Sequence, residues 1–147
     1  MRLKVKRLTE NAVLPKRATD GSAGYDLFAD AINDIIILPG EAAAVPIGIS
    51  VEIECGEKSA AGFIFARSSM GTKYGVIPAN AVGVIDSDYR GEICVVLRNL
   101  SKLPYTVKNH DRVAQLVISE VLIPEVEETE VLSDTGRGDG GFGSTGR

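Results

Sequence analysis

The sequence predicts an all-β domain, a jelly-roll-like sandwich or barrel with one short helix. Three observations predict it. Apolar residues recur at period two, helical periodicity is almost absent, and turn residues interrupt the apolar runs about every ten residues. Leu3 and Val5 alternate with Arg2, Lys4 and Lys6, which reads as a strand with one wet face. Ile49, Val51, Ile53 and Cys55 alternate in the same way with Ser50, Glu52 and Glu54. The sole helix candidate runs from about Ser68 to Lys73, with Ser68 or Ser69 as its N-cap. Ile93, Val95 and Leu97 alternate with Glu92, Cys94, Val96 and Arg98, the pattern of a strand buried on both faces. Val113 to Ile118 and Glu120 to Ile123 are further β candidates, rich in β-branched residues. Turn chemistry separates these runs at Asp20-Gly21, Pro39-Gly40, Gly56, Pro78, Pro104, Asn109 and Pro124.

A chain of 147 residues, 44% apolar and 24% charged, is long enough to bury one core of its own. With no Trp and 5% aromatics, that core must come from Val, Ile, Leu and Ala. From Thr135 onward the composition changes, and six of the last twelve residues are Gly. Such a stretch buries too little surface to offset its chain entropy, so a flexible tail over 133–147 is expected to follow a β domain over 1–132. The formal charge of −4 disfavours nucleic acid as a partner, so any bound anion must be held by local groups. No apolar run is long enough for a membrane helix, and MRLKVKRLTE lacks the apolar core of a secretory signal. Cys55 and Cys94, 39 positions apart, allow a disulfide but read better as two buried thiols of a reducing compartment, and the expected location is intracellular and soluble.

Several motifs fail on context. Gly138, Gly140 and Gly143 fit a dinucleotide fingerprint, but no helix can follow with four residues left. Arg137-Gly138-Asp139 matches an adhesion tripeptide in a chain with no other extracellular trait. One histidine and two isolated cysteines offer no metal cluster of the usual spacing. His110, between Asn109 and Asp111, reads as a solvated turn residue, which argues against Ser/His/Asp catalysis. Glu125 to Glu130 reads as a solvated face.

What remains is polar chemistry gathered in turns. Gly83-Val84-Ile85-Asp86-Ser87-Asp88-Tyr89-Arg90-Gly91 sets two carboxylates, a phenol and a guanidinium between aliphatic runs. Arg67-Ser68-Ser69-Met70-Gly71 brings a cation and two hydroxyls to a helix start, which suits an anion. The segment Arg137 to Gly146 adds another cation, two hydroxyls and one aromatic among glycines. Three phosphate-type signals without basic bulk charge point to a small polyphosphate ligand.

At these residues the chain resembles the homotrimeric dUTP diphosphatases (dUTPases). Five ordered motifs carry the resemblance: Ala23-Gly24-Tyr25-Asp26-Leu27-Phe28-Ala29, Arg67 to Gly71, Asn80 to Gly91, Arg112-Val113-Ala114-Gln115, and Arg137 to Gly146. Two positions depart from it. Ala66 stands where the family often has Pro, and His110 replaces the Gly before Asp-Arg; His tolerates positive φ better than most residues. The resemblance implies a jelly-roll-like subunit, a homotrimer with shared active sites, Mg²⁺, and hydrolysis of dUTP to dUMP and diphosphate. That reaction keeps uracil out of DNA and supplies dUMP for dTMP synthesis.

Roles follow from the resemblance, position by position. Asp86 is the expected general base on the attacking water, with Gln115 beside that water and the α-phosphate. Arg67, Ser68 and Ser69 match the phosphate cradle, and Asp26 the residue that supports Mg²⁺ through water. Asn80, Gly83, Val84, Ile85 and Cys94 match the uracil pocket, and Tyr89 the group beneath the deoxyribose. Arg137, Ser144 and Thr145 would clamp the γ end while Phe142 stacks on uracil, with Gly143 between them also matching a substrate-binding position. A dCTP deaminase on the same scaffold needs a differently placed acid/base, commonly Glu. A binding protein that had lost catalysis would lack Asp86, Gln115 or the tail, and all three are present.

Overall fold

Alternating aliphatic and polar residues give several strands one face for a core, and the chain buries those faces by packing short antiparallel sheets. The computed structural model describes residues 1–141. In chain order it contains β1 (Arg2–Arg7), β2 (Tyr25–Phe28), β3 (Ile35–Ile37), β4 (Ala42–Pro46), β5 (Ile49–Glu54) and β6 (Ala60–Phe65). Then come α1 (Ser68–Tyr74), β7 (Val76–Pro78), β8 (Gly83–Ile85), β9 (Cys94–Asn99), β10 (Tyr105–Val107) and β11 (Arg112–Glu120). The sheets are ordered β1-β5, β3-β10, β2-β11-β6-β8 and β4-β9-β7, and every pairing is antiparallel. This is the jelly-roll-like β architecture that the periodicity predicts.

The core is aliphatic as composition requires. Leu27, Ile37, Val45, Ile47, Ile49, Ile93, Leu97 and Leu116 are fully buried and form one cluster. Burying each such side chain contributes about 1.5–3 kcal/mol. Asn99 is the one fully buried polar side chain among the described residues. Its Nδ2 donates to the carbonyls of Ile37 (2.9 Å) and Leu103 (2.8 Å), and its Oδ1 accepts from the Ser101 N–H (2.9 Å). With those bonds made, the amide costs little to bury. His110 adopts φ 64° in the turn before β11, where its N–H donates to the Ala29 carbonyl at 2.8 Å. The turn does require positive φ, and His supplies it.

Four local expectations are corrected. The residue capping α1 is Arg67, with extended φ −75° and ψ 137° and no side-chain cap bond; Ser68 and Ser69 already lie inside the helix. Gly75, at φ 66°, ends it. β9 buries only alternate residues, leaving Cys94, Val96 and Arg98 exposed, because β4 and β7 flank it edge to edge and no described residue covers its second face. The proposed strand at Glu120 to Ile123 does not form. β11 ends at Glu120, and beyond the Val121 N–H to Ser59 carbonyl bond the chain runs on without a ladder. Finally, neither thiol is buried: Cys55 is half-buried, Cys94 exposed, and both are free.

Candidate active site

Strand register creates the first half of the site. Gln115 of β11 lies opposite Asp26 of β2 on one side and Phe65 of β6 on the other. Two residues past Phe65, Arg67 points its guanidinium back over this row. Its Nε donates to Asp26 Oδ1 at 2.8 Å, and its Nη1 reaches the Arg112 carbonyl at 3.4 Å. Arg112 Nη1 takes the other carboxylate oxygen, Asp26 Oδ2, at 3.2 Å. The Asp26 side chain is only 14% exposed, so this one carboxylate meets two guanidiniums with little water between them. One negative and two positive charges leave a cationic surplus at the surface, beside exposed Ser68 and Ser69. Such a surface suits phosphate oxygens.

Gln115 is held in a defined orientation. Its Nε2 donates to the Ala66 carbonyl at 3.0 Å, and a Cβ on Gly24 would come within 2.8 Å of its Oε1. Gly24→Ala is therefore expected to drive the carboxamide off Ala66. The lost hydrogen bond is worth about 1 kcal/mol, or roughly 3 °C in Tm. Unchanged Tm and unchanged side-chain amide resonances would mean that the carboxamide is seated elsewhere.

The second half is an open cavity of about 370 Å³ on the β8 side of the same sheet. Ile64, Pro78, Asn80, Gly83, Cys94 and Val96 line it. The loop between β7 and β8 is cinched by Ala81 N–H to Pro78 O (3.0 Å) and Val82 N–H to Asn80 O (2.7 Å), with Ala81 at φ 62°. A Cβ on Gly83 would lie 3.2 Å from Ile64 Cβ, so glycine lets β8 approach β6 closely there. Partial desolvation, then the Glu92 carboxylate, pushes the Cys94 thiol upward against the opposing pull of the Val45 backbone. Cys94 therefore lines the cavity as a neutral thiol at pH 7.

The third part is the turn after β8. Asp86 is exposed, and its carbonyl accepts the Tyr89 N–H at 3.1 Å. Among the described residues no cation pairs with its carboxylate. Arg90 Nη1 donates to the carbonyls of Ser87 (2.7 Å) and Tyr89 (3.0 Å), which keeps the turn closed.

One chain does not bring these parts together. Gly83 pairs with Ile64 and Ile85 with Gly62, so β8 runs away from Phe65 toward Asp86. Ile85 is three residues along β6, and two strands across, from Gln115. Regular sheet spacing sets their Cα atoms about 14 Å apart. Arg137 Nε donates to the Gly140 carbonyl at 2.8 Å within its own turn. Phe142, Gly143, Ser144 and Thr145 lie outside the described residues.

Arg112 was legible only as part of a motif, without a role. A register shift between Arg112 and Ala114 turns its side chain toward Asp26, 86 positions earlier. Among the described residues no group of three or more His, Cys, Asp or Glu could cage a metal. Asp26 already accepts from two guanidiniums, so it fits a divalent cation only through water.

The chain is similar to known proteins over nearly its whole length. The dUTPase family model matches residues 10–146. The deoxyuridine 5'-triphosphate nucleotidohydrolase of Desulfitobacterium hafniense is 48% identical over 133 residues, covering 90% of this chain and 87% of that protein. The protein of the same description from Nautilia profundicola is 46% identical over 147 residues, covering 100% of both. Among solved structures, the dUTPase of Staphylococcus bacteriophage 80alpha with dUPNHPP superposes with a TM-score of 0.87. It is 26% identical, and the match covers 99% of each chain.

Proposed function

The chain belongs to the dUTPase family, and on that premise we propose that it hydrolyses dUTP to dUMP and diphosphate in a homotrimer whose sites are shared between subunits. The observation that carries this reading is the split site. A cationic cluster at Asp26, Arg67, Arg112 and Gln115 and a carboxylate at Asp86 stand too far apart in one chain to act on one phosphate. A second copy can supply Asp86 to the first copy's cluster. Exposed apolar groups on β8 and β9 support such packing: Val84 is 57% and Val96 44% exposed. The unladdered arm past β11 does the same, with Leu122, Val126 and Leu132 wet in the single chain.

In this reading uracil enters the cavity lined by Asn80, Gly83 and Cys94. Uracil presents acceptor, N–H donor and acceptor along its pairing edge. The main chain near Val84, Ile85 and Cys94, with Asn80, complements that order, whereas cytosine reverses two of the three. Each unmatched buried group costs about 1–3 kcal/mol, so two give roughly 30-fold to 10⁴-fold discrimination. Arg67, Ser68, Ser69 and Arg112 face the triphosphate, and Gln115 orients water beside the α-phosphate. Asp86 accepts the water proton as oxygen attacks the α-phosphorus, and the bond to the β-phosphate bridging oxygen breaks to release diphosphate. Asp26 would hold Mg²⁺ through water, and the ion when bound offsets phosphate charge. The glycine-rich segment closes last, with Arg137, Ser144 and Thr145 on the γ end and Phe142 over the base.

Incubating the protein with Mg²⁺ and each deoxynucleoside triphosphate tests the reading by product. Diphosphate and dUMP from dUTP alone support it, ammonia from dCTP replaces it with deamination, and no product removes it. Sugar selection is a separate expectation. Tyr89→Ala opens space beneath the ribose and should raise kcat/KM for UTP relative to dUTP by at least about tenfold. An unchanged ratio would assign exclusion of the 2′-hydroxyl to another group.

A further inference from the structure

The Tyr89 ring is held from two sides by the residues that follow it. Its Oη donates to the Glu92 carbonyl at 2.8 Å, folding the side chain back over Gly91. A Cβ on Gly91 would lie 2.6 Å from Tyr89 Cζ and 3.0 Å from Cε2, so the ring rests on bare backbone. Gly91 has no positive φ, so glycine is required there for space and not for backbone conformation. Glu92 in turn is tied to a rigid point. Its Oε1 accepts the Gly48 N–H at 3.0 Å. Gly48 is locked at φ 67°, its carbonyl takes the Leu8 N–H at 2.8 Å, and the Asp30 carboxyl fills the space where a side chain would sit. Ile93, fully buried, donates its N–H to the Ile49 carbonyl at 2.9 Å and anchors the next residue.

We infer that Gly91 and Glu92 are positioning residues for sugar selection: they set the height and tilt of the Tyr89 ring, and Gly48 is the fixed point from which Glu92 does so. The inference rests on the proposed role of Tyr89 beneath the deoxyribose. Its physical basis is that a steric filter discriminates only while it cannot yield. Tyr89 is 42% exposed, so no core packing stops its rotation; the bond to the Glu92 carbonyl and the close seat on Gly91 hold it. A 2′-hydroxyl adds about one heavy atom, and a ring free to swing would admit it.

The test reads the ratio of kcat/KM for dUTP to that for UTP in the full-length protein with Mg²⁺. Gly91→Ala lifts the ring from its seat and should lower the ratio at least about tenfold, with kcat on dUTP within about threefold of wild type. Glu92→Ala should lower it about threefold or more, and Glu92→Gln, whose Oε1 can still accept from Gly48, should restore it. A merely structural role would lower both substrates alike and leave the ratio in place. Equal ratios for Glu92→Ala, Glu92→Gln and wild type overturn the Glu92 assignment even if Gly91→Ala fails to fold. A crystal structure of Gly91→Ala with the ring displaced and the ratio unchanged overturns the whole inference. Absence of dUTP hydrolysis by the wild-type protein is a different result, since it removes the functional reading on which the ratio depends.

Discussion

Asp86→Asn is expected to bind nucleotide as wild type does and to lose at least about a hundredfold in kcat, the scale for removing a general base. The substitution keeps size and shape while removing the lone pair and charge that accept a proton. Its folding cost should be small. The turn is held through the Asp86 carbonyl and the Tyr89 N–H, with Arg90 bonding Ser87 and Tyr89, and none of these bonds uses the carboxylate. The carboxylate is exposed and pairs with no cation among the described residues, so no ion pair is lost. Titration calorimetry with a non-hydrolysable dUTP analogue should give a Kd within a few fold of wild type, and single-turnover kinetics should place the loss in the chemical step. Turnover near the wild-type rate would remove Asp86 from the mechanism.

The second large effect is complementation between two inactive chains. A truncation ending at Ser133 lacks Arg137, Phe142, Ser144 and Thr145, and is expected to be as inactive as Asp86→Asn. Closing about ten glycine-rich residues costs roughly 10–20 kcal/mol of backbone entropy. Contacts with bound nucleotide must offset that cost, so closure should follow binding. If Asp86 and the tail reach one site from different subunits, a trimer mixed from both variants holds some sites with both intact parts. Random assortment of equal amounts predicts activity in about a quarter of the sites, where each parent alone has none. Mixed trimers confirmed by native mass spectrometry but still inactive would refute tail exchange between subunits.

Much of the fold was legible because its signals are local. Leu3 and Val5 alternate with cations, and β1 forms there against β5 with its basic side chains wet. Glycine at positions 40 and 56 stands in turns, as expected, and both residues adopt positive φ there. The helix stands where it was expected, but its cap does not. Arg67 is drawn into the capping position because its guanidinium bridges to Asp26, a contact across 41 residues that no local propensity encodes. Exposed Val96 and Cys94 misled for a related reason. Apolar residues on both sides of β9 signal burial, but the described residues cover only one face of it.

The candidate site divides along the same line. The candidate residues Asp26, Arg67, Asp86 and Gln115 were marked along the chain by its resemblance to the family's ordered motifs. Register supplied the rest. It set Gln115 between Asp26 and Phe65, turned Arg112 through a bulge onto Asp26, and ran β8 away so that Asp86 ends far from Gln115. Alternation and turn preference arise from neighbours a few bonds apart, so the chain writes them openly. Pairing between strands dozens of residues apart is settled by packing Leu27, Ile64 and Leu116 into one core, and that choice exists only once the sheets have met.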